Sequence, residues 1–424
     1  MKLDLHRSRS CPATAPPVNV PLETRRTTPY APLDRGDFQE GSYSPFEERA
    51  GGCPRRTAQR HPQQPKGCWP PRGGIFRITA FIVLLLSLSW GPAVHQASTA
   101  ASDKTLDIYF IDVEGGAATL IVTPQKESLL MDCGWKRDDR RDASRINHVA
   151  RDLAGLSQID YFVVSHFHTD HFGSITQLSQ MIPIKRFYDH AVMKESQDYD
   201  KELYPGYQKA SAGKRRTLRP GDVIPLRRGN IPLKLTCVVA DGKVTSKAVA
   251  AGAKLNALCK EGKLQEDDPS DNAKSIGLLL SFGKFEFLDC GDLTWNIEHK
   301  LVCPKNRIGR VDLYMVTHHG MNISNNPALV RAIQPIVTVM CNGPRKGGHP
   351  DTVALLKSIP SIQANYQLHR NVETSEAENT DRAHIANWDE NCQGEFIKAS
   401  VAPDGESYTV TIGASGTPQK FQAQ

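Results

Sequence analysis

Six consecutive residues, His166-Phe167-His168-Thr169-Asp170-His171, place four metal-ligating side chains within one short stretch. Imidazole nitrogens and carboxylate oxygens suit zinc, iron or manganese. The stretch follows directly on a strand-like run, Asp160-Tyr161-Phe162-Val163-Val164-Ser165. In extended backbone residues i and i+2 point the same way, so His166 and His168 can share one ion, and a turn into a following helix swings Asp170 and His171 toward a second. Two cations ~3.5–4 Å apart acidify a bridging water into a hydroxide nucleophile and polarise substrate oxygens, which is the chemistry of hydrolysis. Asp170 is then placed to orient that hydroxide. A surface histidine cluster without chemistry is the plain alternative, and the strand–loop–helix setting argues against it.

Such a cluster needs a rigid frame, and the surrounding pattern supplies one. Short runs over 106–111, 118–123 and 128–132 predict an antiparallel meander, separated by Gly115-Gly116 and by the turn Pro124-Gln125-Lys126-Glu127. Ile146, Val149, Ala150 and Leu153 recur at helical spacing with Ser144 as N-cap, leading into a strand over 161–165. Helix is expected over 172–182, and strands over 186–189, 233–240, 276–282 and 284–289. A second half follows in kind: strand 312–317, helix 327–333, strand 336–341, helix 352–358 and a last strand 408–412. Two strand-then-helix halves predict an α/β fold, an αββα sandwich of two mixed sheets with helices outside. The polar stretch between 193 and 271 reads as an insertion near the site.

The His166–His171 motif resembles the HxHxDH signature of the metallo-β-lactamase superfamily. The resemblance extends over most of residues 104–345, and the nearer relatives are of the ComEC/Rec2-like branch. Phe110-Ile111-Asp112-Val113-Glu114-Gly115-Gly116 is similar to that branch's first-strand motif, although its Asp after the second glycine is Ala117 here. Ser128-Leu129-Leu130-Met131-Asp132-Cys133-Gly134 resembles the hydrophobic strand ending in Asp and Gly, which implies that Asp132 orients a ligand histidine. Phe287-Leu288-Asp289-Cys290-Gly291-Asp292 resembles the strand that delivers a carboxylate shared by both ions, implying that role for Asp292. His318-His319-Gly320, after 311–317, matches the closing histidine motif. The match implies His319 as ligand and His318 as the residue facing substrate and protonating a leaving group, but spacing alone does not separate the two. No clear third histidine for the first ion follows. His190, some twenty residues past the cluster, comes early for that position and is either near substrate or structural. The loop Gly343-Pro344-Arg345-Lys346-Gly347-Gly348-His349 can set Arg345 and Lys346 against an anionic group, or is a solvated turn. The resemblance implies two divalent ions, zinc before manganese or iron, and hydrolysis of a phosphodiester. A carboxyl ester, lactone or β-lactam is the alternative substrate, and a non-enzymatic binding module the third reading.

Charge and composition divide the 424 residues at one place. Residues 1–100 hold 13 of the 28 prolines, 13 Lys and Arg, and 7 Asp and Glu; that balance of +6 equals the net charge of the whole chain. Residues 1–74 read as a disordered Pro/Arg-rich leader. Residues 75–102 contain the uncharged run 78–94, preceded by Arg72 and Arg77 and followed by Ala97-Ser98-Thr99-Ala100-Ala101, the layout of a signal peptide or a membrane anchor. Either exports residues 103–424 as a hydrolase domain to a periplasmic or secreted location, with membrane contact only through this segment. The neutral main part lacks the positive field of a duplex-binding module, so the charge does not indicate nucleic acid, and a small or envelope-derived substrate is expected. Among Cys237, Cys259, Cys303, Cys341 and Cys392 some are expected to be bridged, and no CxxC spacing suggests a zinc ribbon.

Overall fold

Strands buried along their whole length, such as those at 128–131 and 337–340, are covered on both faces, and that requirement sets the layers of the molecule. The computed structural model describes residues 104–191, 199–249 and 254–424. The leader and export segment expected over 1–102 lie outside these residues. None of the described helices is long and apolar enough to cross a membrane.

The first sheet is built from β1 (Leu106–Phe110), β2 (Thr119–Val122), β3 (Ser128–Met131), β4 (Ile159–Val163), β5 (Ile184–Asp189), β6 (Arg215–Thr217), β16 (Ile397–Val401), β17 (Ser407–Ile412) and β18 (Gln419–Gln422). Its spatial order is β18-β17-β16-β1-β2-β3-β4-β5-β6. The strands from β18 to β3 pair antiparallel, whereas β3, β4, β5 and β6 are parallel. The second sheet contains β7 (Val223–Ile224), β8 (Leu233–Ala240), β9 (Lys243–Val244), β10 (Gly277–Phe282), β11 (Phe285–Asp289), β12 (Leu313–Met315), β13 (Val337–Met340), β14 (Ala364–His369) and β15 (Ile385–Asn387). It runs β15-β14-β13-β12-β11-β10-β8-β7, with β9 on β8, and is parallel from β11 to β15. Both sheets are therefore mixed, as expected.

Alternation along each strand sorts side chains into three apolar layers. Leu129 and Met131 of β3, Tyr161 and Val163 of β4, Phe287 of β11 and Val337 and Val339 of β13 meet between the sheets. Phe110 sets its ring edge-on to Phe287 there, 5.7 Å between centroids. The opposite face of the first sheet, with Leu130 and Phe162, packs on α1 (Arg141–His148), α3 (Ile175–Met181) and α4 (Tyr204–Ser211) through Ile146, Leu178 and Tyr207. The opposite face of the second sheet takes α5 (Trp295–Val302), α6 (Pro327–Ile333) and α7 (Pro350–Lys357) through Leu301, Val330 and Leu356. This is the αββα sandwich.

Several elements differ from expectation for tertiary reasons. Ser144 is not an N-cap: α1 starts at Arg141, because the buried Asp142 side chain accepts the Trp135 N–H (2.8 Å) and pairs with Arg141, drawing the helix start toward the β3 loop. The helix then widens into a π-helical turn, Val149–Leu153. The stretch 193–271 is more than an inserted loop, since it supplies α4, the edge strand β6 of one sheet and β7, β8 and β9 of the other. Of the cysteines singled out, Cys259 and Cys303 form a disulfide across a separation of 44 residues, while Cys237, Cys341 and Cys392 are free thiols.

Candidate metal centre

The centre lies outside the carboxyl ends of parallel strands, where α/β sheets gather functional side chains. β3 leads to Asp132, β4 runs into Ser165 and the histidine stretch, β11 leads to Asp292, and β12 leads to His318 and His319. The short helix α2 (Thr169–Phe172) carries Asp170 and His171, with His168 extended at its N-cap. Its turn is held by Ala117 donating to the Asp170 carbonyl (3.2 Å) and Cys133 donating to the His171 carbonyl (2.6 Å). Gly116 is required at this contact, because a Cβ there would come within 2.4 Å of the Asp170 carbonyl oxygen.

Four of the residues singled out converge. Single ligand atoms of Asp170, His171, Asp292 and His319 all lie within 4.8 Å of one another, and all four residues are buried. His171 Nε2 is 3.2 Å from both Asp170 Oδ2 and Asp292 Oδ2, and 3.3 Å from His319 Nε2. His319 Nε2 lies 3.1 Å from Asp170 Oδ2 and 3.3 Å from Asp292 Oδ2. Asp292 is the hub: its Oδ2 also faces His318 Nε2 at 3.4 Å and His166 Nε2 at 3.9 Å. The His168 ring stands edge-on to His166, 4.6 Å between centroids. His318 and His319 both adopt left-handed backbone, φ 55° and 53°, and this turns both rings toward Asp292. Such consecutive non-glycine conformations cost energy and mark functional turns.

The supporting shell orients the rings. Asp132 Oδ2 receives His171 Nδ1 (2.7 Å) and the Ser165 hydroxyl (2.6 Å), while Oδ1 receives the Ser165 N–H (2.7 Å). His319 Nδ1 is 2.9 Å from the Cys341 carbonyl, and His318 Nδ1 is 3.0 Å from Ser324 Oγ. Each Nε2 is thereby presented to the centre.

Electrostatics separate two kinds of histidine. Burial would lower His171, but the carboxylates of Asp292, Asp170 and Asp132 hold it well above its ordinary value. Burial likewise opposes the charge on Asp170 and Asp292, yet the facing imidazoles keep both carboxyls well below the usual range. His166 is pushed well below the histidine value by burial and by His171, and His318 falls to about 4, mainly through burial. Both shifts favour the neutral imidazole, with a lone pair available. Buried Asp292 Oδ1 and His166 Nε2 have no hydrogen-bond partner. Unpartnered donor atoms, imidazole nitrogens facing one another and shared carboxylates make a donor set that fits divalent cations.

Not every residue singled out belongs here. Arg345 is turned away: its guanidinium pairs with Glu390 at 2.7 and 2.9 Å and with Glu373 at 3.5 Å on the exposed side of the loop. Its neighbour Lys346 alone points inward, its Nζ on Asp170 Oδ2 and 4.9 Å from the centroid of the Trp135 ring. His190 is buried behind the histidine loop, with Nε2 3.2 Å from Asp271 Oδ2, the same oxygen that accepts the Phe167 N–H (2.8 Å). Asp271 is therefore a positioning residue that sequence reasoning missed, because 104 residues separate it from Phe167. Ser165, Ser324 and Trp135 were missed as well. Ser165 stood directly beside the motif and was legible in principle.

No curated protein matches this sequence. Among solved structures, the chain is similar to the diiron β-hydroxylase CmlA from Streptomyces venezuelae, with 13% identity, 62% of this chain and 52% of that chain covered, and a TM-score of 0.38. The chain thus spans about half the length of that hydroxylase. It is also similar to MEM-A1, a subclass B3 metallo-β-lactamase from a soil metagenome library (13% identity, 63% and 80% covered, TM-score 0.28). A third likeness is to the metallo-β-lactamase MIM-1 from Novosphingobium pentaromativorans (15% identity, 46% and 64% covered, TM-score 0.26). Residues 111–243, from just after β1 to the first residue of β9, match the family model of the metallo-beta-lactamase superfamily. This match carries the superfamily and not the ComEC-like branch. The chain therefore matches the metallo-β-lactamase superfamily over residues 111–243.

Proposed function

We propose that this chain is an exported hydrolase with two divalent metal ions, zinc before manganese or iron, and that its substrate is a phosphodiester. The observation that carries the reading is the position of Asp292 Oδ2 among four histidine Nε2 atoms, beside the unpartnered Asp292 Oδ1. His166 and His168 would hold one ion and Asp170, His171 and His319 the other, with Asp292 shared between them. When bound, such ions supply Lewis acidity that activates water and polarises oxygens of the substrate. The protein's own residues do the rest. Asp132 holds the His171 tautomer, Asp170 orients the attacking water, and Lys346 faces an anionic oxygen of the substrate.

His318 is the candidate proton donor to the leaving group. That role requires a bound anionic substrate to raise its imidazole from the value of about 4 set mainly by burial, so that Nε2 carries a proton. Its Nε2 is in the centre and its Nδ1 rests on Ser324, so it is oriented from outside the ligand set. A phosphoryl group offers two non-bridging oxygens and an in-line exit, which suits a site with cations on one side and a proton donor on another. Carboxyl ester, lactone or β-lactam hydrolysis is the competing reading.

The deciding experiment compares the metal-loaded chain on bis-p-nitrophenyl phosphate, a lactone and nitrocefin. Phosphodiester turnover is expected to exceed the other two, and efficient nitrocefin or lactone hydrolysis with no phosphodiester turnover refutes the reading. His318→Ala should lower turnover of an alkyl leaving group by about 10²-fold or more and that of p-nitrophenolate far less, because the latter departs without a proton. Equal losses would point to charge stabilisation or metal ligation by His318 instead.

A further inference from the structure

Residues 1–100 carry the whole net charge of the chain, so a cationic surface elsewhere is a local concentration. Residues 214–228 form one: Lys214, Arg215, Arg216, Arg219, Arg227 and Arg228 stand against the single acid Asp222. The segment leads from β6, the edge of the first sheet, to β7, the edge of the second, and so runs along one flank of the sandwich. Contacts hold it against β4 and β5. The Tyr161 hydroxyl lies 2.9 Å from the Pro225 carbonyl and 3.1 Å from Glu127 Oε1, and Glu127 Oε2 accepts the Arg227 N–H (2.6 Å). Lys214 Nζ donates to the Ile184 carbonyl (3.2 Å), and Arg216 pairs in register with Tyr188. The Arg186 guanidinium of β5 lies 5.7 Å from the centroid of the same Tyr161 ring.

Some cations of this flank are engaged: Arg215 with Asp189, Arg227 with Glu127 and Lys185 with Asp160. Arg186, Lys214, Arg216, Arg219 and Arg228 are exposed and pair with no carboxylate of the described residues, while Asp222 accepts the Arg219 backbone N–H (2.9 Å). Charge on an edge strand blocks pairing with another sheet edge, which accounts for Arg216. It does not account for Arg186, whose strand is paired on both sides, or for Arg219 and Arg228, which lie outside the strands. Unneutralised cations gathered on one flank repel one another and create a field that draws an extended anionic partner.

Nucleic acid and a phospholipid surface both present arrays of phosphates. Single strands are held by stacking on exposed aromatic rings, yet Tyr161 and Tyr188 are buried beneath the arginines. A duplex groove takes a protruding helix or two-stranded ribbon, whereas residues 214–228 form only short strands within the two sheets. A bilayer asks for a broad array of cations with some apolar surface, and Val223, 46% exposed, lies between Arg219 and Arg227. We propose that this flank docks on an anionic phospholipid surface, as a second membrane contact besides the one expected of residues 75–102. β5 ends at Asp189, next to His190 behind the histidine loop, so the metal centre lies past one end of the flank and not beneath it. The docking is independent of which ester the centre hydrolyses.

The test titrates the full chain with vesicles of phosphatidylcholine alone and of phosphatidylcholine with an equal part of phosphatidylglycerol. At about 0.1 M salt the triple variant Arg216→Ala, Arg219→Ala and Arg228→Ala is expected to partition onto the anionic vesicles at least about tenfold more weakly than wild type, because each basic residue near such a surface adds affinity. The N-terminal residues are the same in both chains, so their contribution cancels in the comparison. At about 1 M salt the difference should vanish by screening. Hydrogen exchange of the wild-type chain supplies a readout that needs no variant: amides of residues 219–228 should slow with the anionic vesicles and not with phosphatidylcholine alone. Equal partitioning of the two chains onto anionic vesicles together with unchanged exchange at 219–228 overturns the proposal. A loss as large on phosphatidylcholine alone, or a tenfold loss on a single-stranded oligonucleotide with none on the vesicles, overturns it as well.

Discussion

Asp132 ties two segments that the centre needs together. One carboxylate accepts from His171 Nδ1, from the Ser165 hydroxyl and from the Ser165 N–H, and it sits at a left-handed residue (φ 62°) just past β3. Asp132→Asn keeps the shape but replaces one acceptor oxygen by a donor, so either the His171 or the Ser165 contact becomes repulsive. Loss of such an orienting partner typically weakens metal affinity by about 10–100-fold. Competition with a chelator followed spectroscopically would measure this, and unchanged affinity would show that Asp132 only braces the loop. Lys346 and Arg345 make the same point in reverse. Adjacent in sequence and alike in charge, they separate because Arg345 finds Glu390 and Glu373 outside while Lys346 finds Asp170 and Trp135 inside.

At the scale of elements, α5 links the centre to the stability of the second sheet. Glu298, on its first turn, is fully buried, and its Oε2 accepts the Asn326 N–H (2.7 Å). Burial raises its carboxyl from 4.5 to about 7. An acid whose value is raised on folding binds protons more readily in the native state, so its contribution is fully present below pH 4.5 and lost as pH rises through about 7. That gap corresponds to about 3 kcal/mol, an order of magnitude for a single buried group. Urea unfolding between pH 5 and 8 should therefore show falling stability, with Glu298→Gln removing a share of the slope because the amide oxygen still accepts the Asn326 N–H. A slope identical in wild type and variant would mean that Glu298 is ionised in the native state. Asp289, also raised to about 7 by burial, contributes in the same direction and should leave a residual slope in the variant.

At the scale of the whole molecule, the last strands complete the first sheet. β16 pairs with β1 over five residues, β17 and β18 extend that edge, and Tyr408 and Phe421 enter the layer between the sheets. Tyr408 also donates to the Asp312 carbonyl at the foot of β12 (3.0 Å). A chain ending before Phe396 would expose the edge of β1 and open the inter-sheet layer, so it is expected to be insoluble or to bind a hydrophobic dye. Soluble recovery with intact metal stoichiometry would show that β1 to β15 form a self-sufficient domain.

What the sequence determined by itself was local. The run from His166 to His171 was legible because donor residues, strand and helix start are contiguous there, and Asp132, Asp292 and His319 were legible through strand-end motifs that resemble a family. The αββα layering followed from apolar runs spaced by turns, which is a property of strands buried on both faces. The tertiary structure decided what depends on long-range approach. It brought Asp271 to Phe167, directed both His318 and His319 at Asp292 through two left-handed residues, sent Arg345 outward, and paired β16 with β1 across nearly three hundred residues. It also started α1 before Ser144, since a buried Asp142 bonded to Trp135 outweighs a local capping preference. None of these leaves a periodic or motif signal, because the partners are chosen by the folded geometry and not by their neighbours in the chain.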